Sequence, residues 1–283
     1  MKVKGMRHPE WFKITLPQSK TFYSVSALLK KYSLCTVCEE AKCPNRVKCY
    51  TEKRITFLIL GRLCTRNCLY CGVMKGMPEK VDTQEPGRVA KLVKALNLAY
   101  VVITSVTRDD LADRGAGHFA DTVKEIKKAN SGCKIEVLTP DFSGNVQSLT
   151  TVLSSKPYVF SHNIEVVKEL FPRLRPGGTY MRSLRLLSRA KRMGALTKSG
   201  IMLGLGETER QVMNAFADLK DAGVDVLTVG QYLPPGKSAP QVKRYYSPEE
   251  FENLKIKALK MGFRSVSAGP LVRSSSHPVR VPG

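Results

Sequence analysis

The sequence lacks any long hydrophobic run. Across its 283 residues, the longest uninterrupted apolar stretches are far shorter than the ~18 residues that a membrane-spanning helix needs. The first residues, MKVKGMRHPEWFKITLP, also contain no apolar run of signal-peptide length. We therefore expect a soluble, cytoplasmic protein that has no membrane partner.

Acidic residues are scarce. The chain has 24 Asp and Glu against 46 Lys and Arg, which gives a formal net charge of +22. Such a charge is typical of nucleic-acid-binding proteins. However, the basic residues are dispersed rather than gathered in a tail, and no nucleic-acid-binding motif is recognisable. We expect no nucleic-acid partner, while a zinc-bound nucleic-acid-binding module stays open as an alternative.

The eight cysteines do not indicate a disulfide framework, because the chain is neither small nor secreted-looking. Six of them form two sets of three. The first triad lies in CEEAKCPNRVKC (Cys38, Cys43, Cys49), and the second triad lies in CTRNCLYC (Cys64, Cys68, Cys71). Three thiolates are one too few for a closed zinc site or an all-cysteine iron-sulfur cluster. Each triad should therefore leave one metal position open for chemistry.

The second triad resembles the cluster motif of the radical S-adenosylmethionine (SAM) superfamily. Its gaps of three and two residues let one short loop hold three corners of a 4Fe-4S cube, and Tyr70 fits the aromatic position beside the adenine. A zinc knuckle or a redox-sensing cluster is the alternative, although zinc sites usually have paired C-x2-C spacings. The resemblance implies that SAM is chelated by the fourth iron.

The first triad resembles the auxiliary cluster motif of the lipoyl synthase family. Further segments resemble that family over nearly the whole chain: TSVTRDDLADRGAGHF (104–119), TKSGIMLGLGET (197–208), LTVGQYL (227–233) and GPLVRSS (269–275). In the family, a serine of a C-terminal RSSY segment ligates the auxiliary cluster, which makes Ser275 the candidate ligand here. Ser276 replaces the tyrosine, and a disordered basic tail is the alternative. Cys35 forms a C-x2-C pair with Cys38 and is a competing ligand, whereas Cys133 is predicted to be a structural thiol.

The resemblance implies two 4Fe-4S clusters and SAM as cofactors. Unactivated methylene groups offer no acid-base handle, so their functionalisation requires a radical. By resemblance, reductive cleavage of SAM gives a 5′-deoxyadenosyl radical that abstracts hydrogen from C6 and then C8 of an octanoyl-lysine chain, and the auxiliary cluster supplies sulfur. The implied partners are an octanoylated lipoyl domain or glycine-cleavage H protein, an electron donor such as flavodoxin or ferredoxin, and an iron-sulfur carrier that rebuilds the cluster.

Strands and helices alternate along most of the chain, which predicts an α/β fold with a parallel sheet. By resemblance this is a partial (βα)6 TIM-like barrel, covering 51–262, between an N-terminal cluster-binding extension (1–50) and a C-terminal tail (263–283). Residues 11–17 are predicted to be strand-like, and 24–33 are predicted to be a serine-capped helix. The six predicted barrel strands cover 54–60, 99–105, 133–139, 158–163, 200–206 and 225–232.

In such a barrel the active site lies at the carboxyl ends of the strands. By position and resemblance we select Thr104, Ser105, Asn163 and Glu165 as SAM contacts, and Arg175 as a partner for a carboxylate. Other polar residues near predicted strand ends have more than one interpretation. Lys198 is a carboxylate partner or a surface charge, and Asp109 and Asp110 are site residues or helix caps. His118 and His162 are catalytic bases, metal ligands or hydrogen-bonded packing residues.

Three functions besides that of the resembled family remain open. One is another sulfur-inserting radical SAM enzyme, either biotin-synthase-like or RNA-methylthiolating, although the chain carries no appended RNA-binding domain. The second is the zinc-bound nucleic-acid-binding module. The third is a non-catalytic iron-sulfur carrier.

Overall fold

One eight-stranded sheet forms the frame of the molecule in a computed structural model that describes residues 9–13, 19–276 and 279. The strands follow one another across the sheet in chain order, and each pair from β2 to β8 is parallel. Only β1 is antiparallel to its neighbour, β2. The strands are β1 (Cys35–Thr36), β2 (Thr56–Ile59), β3 (Tyr100–Ser105), β4 (Lys134–Leu138), β5 (Val159–Ser161), β6 (Thr197–Leu203), β7 (Val226–Gln231) and β8 (Ser265–Gly269).

Helices connect the parallel strands, because parallel neighbours cannot be joined by a tight hairpin. Apolar side chains of these helices and of the strands form two large buried clusters, one on each half of the sheet. The predicted α/β class with a parallel, partial-barrel sheet is confirmed. The helices are α1 (Lys20–Lys31), α2 (Val37–Glu40), α3 (Arg46–Thr51), α4 (Glu85–Ala95), α5 (Ala116–Ala129), α6 (Val146–Ser154), α7 (Phe171–Leu174), α8 (Tyr180–Arg192), α9 (Glu209–Asp221) and α10 (Pro248–Lys260).

Two strands were not predicted. β1 has only two residues, and β8 consists of small residues, SVSAG, without an apolar run. They lie in the predicted extension and the predicted tail, respectively. β6 also begins three residues before its predicted start. Its first residues are polar yet fully buried, and Lys198 among them is neutralised by Glu136 at 3.0 Å.

The first fifty residues differ from the prediction in detail. The predicted helix at 24–33 is present, but it begins at Lys20, because Ser19 caps it by accepting a hydrogen bond from the Phe22 amide. Glu10–Phe12 form a short 3-10 turn rather than the predicted strand, whose residues 14–17 lie outside the described part of the chain. The first triad lies on and between the short helices α2 and α3.

Within the described residues, no helix combines the length and the apolar character needed to cross a membrane.

Candidate active site

The second triad occupies the loop that follows β2, at the carboxyl edge of the sheet. The loop folds back on itself, because the Cys64 amide donates to the Met74 carbonyl (2.9 Å) and the Gly76 amide donates to the Cys64 carbonyl (3.1 Å). The Thr107 amide lies 3.3 Å from Cys64 Sγ. This bond joins the second-triad loop to the segment that follows β3.

Arg66, between the first two cysteines of this loop, fastens the loop to the ends of two strands. Its buried guanidinium donates to Asp109 (2.7 Å) and lies 2.6 Å from Asp141. Burial alone would raise the pKa of the Asp141 carboxyl, but the bonds and charge of Arg66 outweigh it and hold that pKa well below its usual range. Ser143 bridges Arg66 and Asp109. The loop position is therefore fixed by charge as well as by backbone bonds.

Neither Asp109 nor Asp110 caps a helix, so the capping alternative is wrong. Helix α5 begins at Ala116, and Gly115 precedes it without a capping side chain. Asp109 pairs with Arg66, and Asp110 pairs with Arg108 at 2.8 Å.

Each triad consists of thiols that are near enough to influence one another. Burial raises the pKa of the Cys38 thiol to about 12, and the neighbouring Cys43 and Cys49 raise it further. Burial likewise raises the pKa of Cys71 to about 11, with contributions from Cys68 and Cys64. Metal binding must therefore release protons from these sites and supply the positive charge that stabilises the thiolates.

The two triads are neighbours in space. Gly72, next to Cys71, packs on Ala41, which lies between Cys38 and Cys43. A Cβ added to Gly72 would be 3.2 Å from the Ala41 Cα and 2.8 Å from the Pro235 Cβ. Only glycine allows so close an approach, so this contact brings the second-triad loop, the first triad and the loop after β7 together.

The C-terminal segment is held against the first triad. The Asn45 side-chain amide donates to the Leu271 carbonyl at 2.6 Å. Burial lowers the pKa of Arg273, and the negative charge of a Cys43 thiolate opposes this effect. Ser275 follows in a single 3-10 turn, Ser274–Ser276, and is half-buried.

Four of the predicted SAM contacts gather around Cys68. Arg175 donates to the Asn163 carbonyl (2.6 Å), and the Asn163 side-chain amide donates to Glu165 (3.1 Å). Burial raises the pKa of Glu165, and Arg175 opposes that rise. Burial raises the pKa of Cys68 too, and this rise is opposed by Arg175 and by a hydrogen bond from Tyr70. This group of side chains therefore contains hydrogen-bond donors and acceptors that suit the amino and carboxylate groups of an amino acid.

The other two predicted SAM contacts differ in their availability. Thr104 donates to the Leu138 carbonyl (2.8 Å) and thus links β3 to β4. The Ser105 hydroxyl is buried and has no hydrogen-bond partner among the described residues. The same is true of the Thr139 hydroxyl. Thr139 follows Leu138, which pairs with Thr104 in the last registered pair between β3 and β4. Buried hydroxyls without partners are rare, so these two point to a missing polar ligand. Thr139 was not predicted.

Lys198 and His162 are both buried and bonded within the barrel. Lys198 is the second residue of β6 and forms a fully buried ion pair with Glu136, so it is neither a strand-end residue nor a surface charge. Glu136 lies within β4 and accepts from Tyr100 (2.6 Å). His162 is fully buried, with its two ring nitrogens 2.8 Å from the Thr139 carbonyl and 2.9 Å from Ser183. The packing reading holds for this histidine.

His118 also has a structural contact. Its Nε2 lies 2.7 Å from Glu85, which in turn accepts from the Leu60 amide (2.8 Å). This pair lies behind the second-triad loop, where it supports the end of β2.

The donor set of each triad fits an iron-sulfur cluster by its chemistry. The pKa values of Cys38 and Cys71 each show the influence of the other two thiols of the same triad. Thiolates are the usual protein ligands of iron-sulfur clusters. Among residues 9–13, 19–276 and 279, no three His, Cys, Asp or Glu side chains form a group that could hold a single metal ion.

Comparisons with known proteins show which families the chain is similar to. Residues 58–219 match the model of the radical SAM superfamily. The lipoyl synthase of Alkaliphilus metalliredigens is 51% identical over 271 residues, covering 95% of this chain and 93% of the relative. That of Caldanaerobacter subterraneus is 47% identical over 274 residues, covering 96% of each.

A solved structure shows the same fold at low sequence identity. SuiB of Streptococcus suis bound to S-adenosylmethionine superposes with a TM-score of 0.58 at 11% identity, over 79% of this chain. The chain spans about half (53%) of the length of SuiB, so the similarity is one of the barrel.

Proposed function

The chain belongs to the lipoyl synthase family of radical SAM enzymes, and we propose that it inserts two sulfur atoms, at C6 and C8, into an octanoyl chain linked to a carrier-protein lysine. The observation that carries this proposal is the contact of Gly72 with Ala41, because each of these residues neighbours cysteines of a different triad. A substrate chain held at this junction would lie next to both triads. Holding reacting groups next to each other is a major contribution of a protein to catalysis.

We propose that the second triad holds a 4Fe-4S cluster and that the first triad, with Ser275, holds an auxiliary 4Fe-4S cluster. When bound, these groups and SAM supply the radical chemistry and the sulfur. The chain fixes their places. Cys64, Cys68 and Cys71 are the ligands of one cluster, and Arg66 keeps their loop at the carboxyl edge of the sheet.

For SAM we propose a pocket made of Asn163, Glu165 and Arg175, with Tyr70 and the free hydroxyls of Ser105 and Thr139. The carboxylate of Glu165 suits an ammonium, and the guanidinium of Arg175 suits a carboxylate. The burial that raises the pKa of Glu165 and Cys68 also excludes water from the reacting atoms.

The partners in this proposal are an octanoylated lipoyl domain or H protein, a flavodoxin or ferredoxin as electron donor, and an iron-sulfur carrier that restores the auxiliary cluster. This chain has a net charge of +22, so it would attract an acidic carrier. The association of the two proteins would be slower at high salt. All eight cysteines are free thiols in the structure, which suits a reducing cytoplasm.

An anaerobic assay with SAM, a reductant and an octanoylated lipoyl-domain peptide tests the proposal. Mass spectrometry should show a peptide with two added sulfur atoms and methionine as a second product. An unchanged peptide would contradict it.

Metal analysis of the anaerobically purified protein separates the alternatives. About eight iron atoms per chain support two clusters, about four support a carrier with a single cluster, and about two zinc atoms support a zinc module.

A further inference from the structure

Ser274 connects the two cofactor regions directly. Its hydroxyl lies 2.9 Å from the side-chain oxygen of Asn163, although 111 residues separate them in sequence. Asn163 belongs to the proposed SAM pocket, and Ser274 is the covalent neighbour of Ser275, the proposed ligand of the auxiliary cluster. One hydrogen bond thus links the proposed SAM pocket to the segment that carries the proposed serine ligand of the auxiliary cluster.

The Asn163 amide has only one orientation that satisfies its surroundings. Its oxygen accepts from the Ser274 hydroxyl, and its nitrogen donates to the Glu165 carboxylate at 3.1 Å. A flipped amide would direct its oxygen at a carboxylate, which is repulsive. The amide also lies against Gly200, where an added Cβ would be 2.9 Å from the Asn163 oxygen. The oxygen that Ser274 contacts is therefore held in place.

Two contacts hold the segment that precedes the turn containing Ser274. The Leu271 carbonyl accepts from Asn45 (2.6 Å), and the Val272 carbonyl packs on Gly230, where an added Cβ would clash with it. In a 3-10 turn successive side chains point about 120° apart. Because Ser274 faces Asn163, its bond fixes the direction in which Ser275 points.

We propose that Ser274 is a positioning residue that couples the SAM pocket to the auxiliary cluster, so that SAM binding loosens the hold of Ser275 on that cluster. The proposal rests on the function proposed above. The ammonium and hydroxyl groups of SAM are donors that compete with the Ser274 hydroxyl for the Asn163 oxygen. A released Ser274 no longer holds the turn, and Ser275 becomes free to leave its iron. Sulfur is then released only when SAM is bound.

Coupling of this kind is reciprocal, so it has two readouts that do not depend on turnover. The competing bond weakens SAM binding, and its removal in Ser274→Ala should lower the Kd of SAM about 2- to 10-fold. In addition, SAM should change the Mössbauer spectrum of the auxiliary cluster in the wild-type protein. In Ser274→Ala the spectrum without SAM should already resemble the SAM-bound one.

Ser274→Thr keeps a hydroxyl and should restore both wild-type readouts. Ser154→Ala removes an exposed hydroxyl that bonds only within α6 and serves as the matched control. The proposal is overturned if Ser274→Ala binds SAM no more tightly than wild type, or if SAM shifts its auxiliary spectrum as in wild type. If Ser274→Ala purifies without auxiliary iron, the Kd of SAM alone tests the proposal. The Kd of Ser274→Ala must then be lower than the Kd of Cys43→Ala, a variant that should lack the same cluster.

Failure of the proposed function has a different signature. In that case, wild-type protein lacks a second cluster or leaves the octanoyl peptide unchanged, whatever the behaviour of Ser274→Ala.

Discussion

Gly72 and Ala41 lie so close together that a Cβ on Gly72 would approach the Ala41 Cα to 3.2 Å. Each belongs to a loop that carries three cysteines. The two segments therefore approach each other closely at a glycine, and Pro235 joins this contact from the loop after β7.

Gly72→Ala should separate the loops without unfolding the protein. Insertion of a methyl group into a closely packed contact costs about 1–3 kcal/mol, and displacement of reacting groups by about 1 Å lowers the rate on the order of 100-fold. We expect the yield of thiolated peptide per SAM cleaved to fall at least about 10-fold. Gly87→Ala is the control, because its added Cβ would meet no side chain or other segment of the described chain within 4 Å, apart from its direct neighbours. An unchanged yield per SAM would contradict the role given to this contact.

Arg66→Met should destabilise the protein by about 3–5 kcal/mol, because it leaves the buried Asp141 without its closest cation. Urea unfolding measures this loss. Arg182→Met removes a second, more exposed arginine that lies 3.3 Å from the same carboxylate and should cost about 1 kcal/mol or less. Equal losses in the two variants would show that Arg66 has no special part in holding the loop.

His162 should make stability depend on pH. Burial, together with the charge of Arg175, lowers its pKa to about 3 in the folded state, whereas the unfolded chain takes up the proton near pH 6.5. The free energy of unfolding should therefore fall by about 1.4 kcal/mol per pH unit as the pH drops from 6.5 towards 3.

His162→Asn should remove this part of the pH slope. Urea unfolding of both proteins at about pH 7, 6 and 5 measures it. Parallel curves for the two proteins would mean that the histidine gains a proton in the folded state as easily as in the unfolded one.

The sequence predicted the features that are local. The cysteine spacings and the buried apolar runs lie within single stretches, and they led to the triads and to six of the eight strands. Pairings between distant residues could not be predicted in this way. Lys198 and Glu136 are 62 residues apart, and only the sheet brings them together inside the barrel.

The candidate site could likewise be predicted from the sequence only in part. Asn163, Glu165 and Arg175 were selected because they follow a strand or resemble family positions, and the structure gathers them around Cys68. Arg66 was missed, although its place between two cysteines was a usable signal. Thr139 was missed because its importance lies in having no hydrogen-bond partner among the described residues, which a sequence does not reveal.

A comparison of two cysteine variants in the anaerobic peptide assay tests the division of labour between the triads most directly. Cys68→Ala removes a proposed ligand of the SAM-binding cluster and should abolish both SAM cleavage and sulfur addition. Cys43→Ala removes a proposed ligand of the proposed auxiliary cluster, so SAM cleavage should continue while sulfur addition stops. If Cys43→Ala still adds two sulfur atoms to the octanoyl peptide, the first triad is not the source of sulfur and the account is wrong.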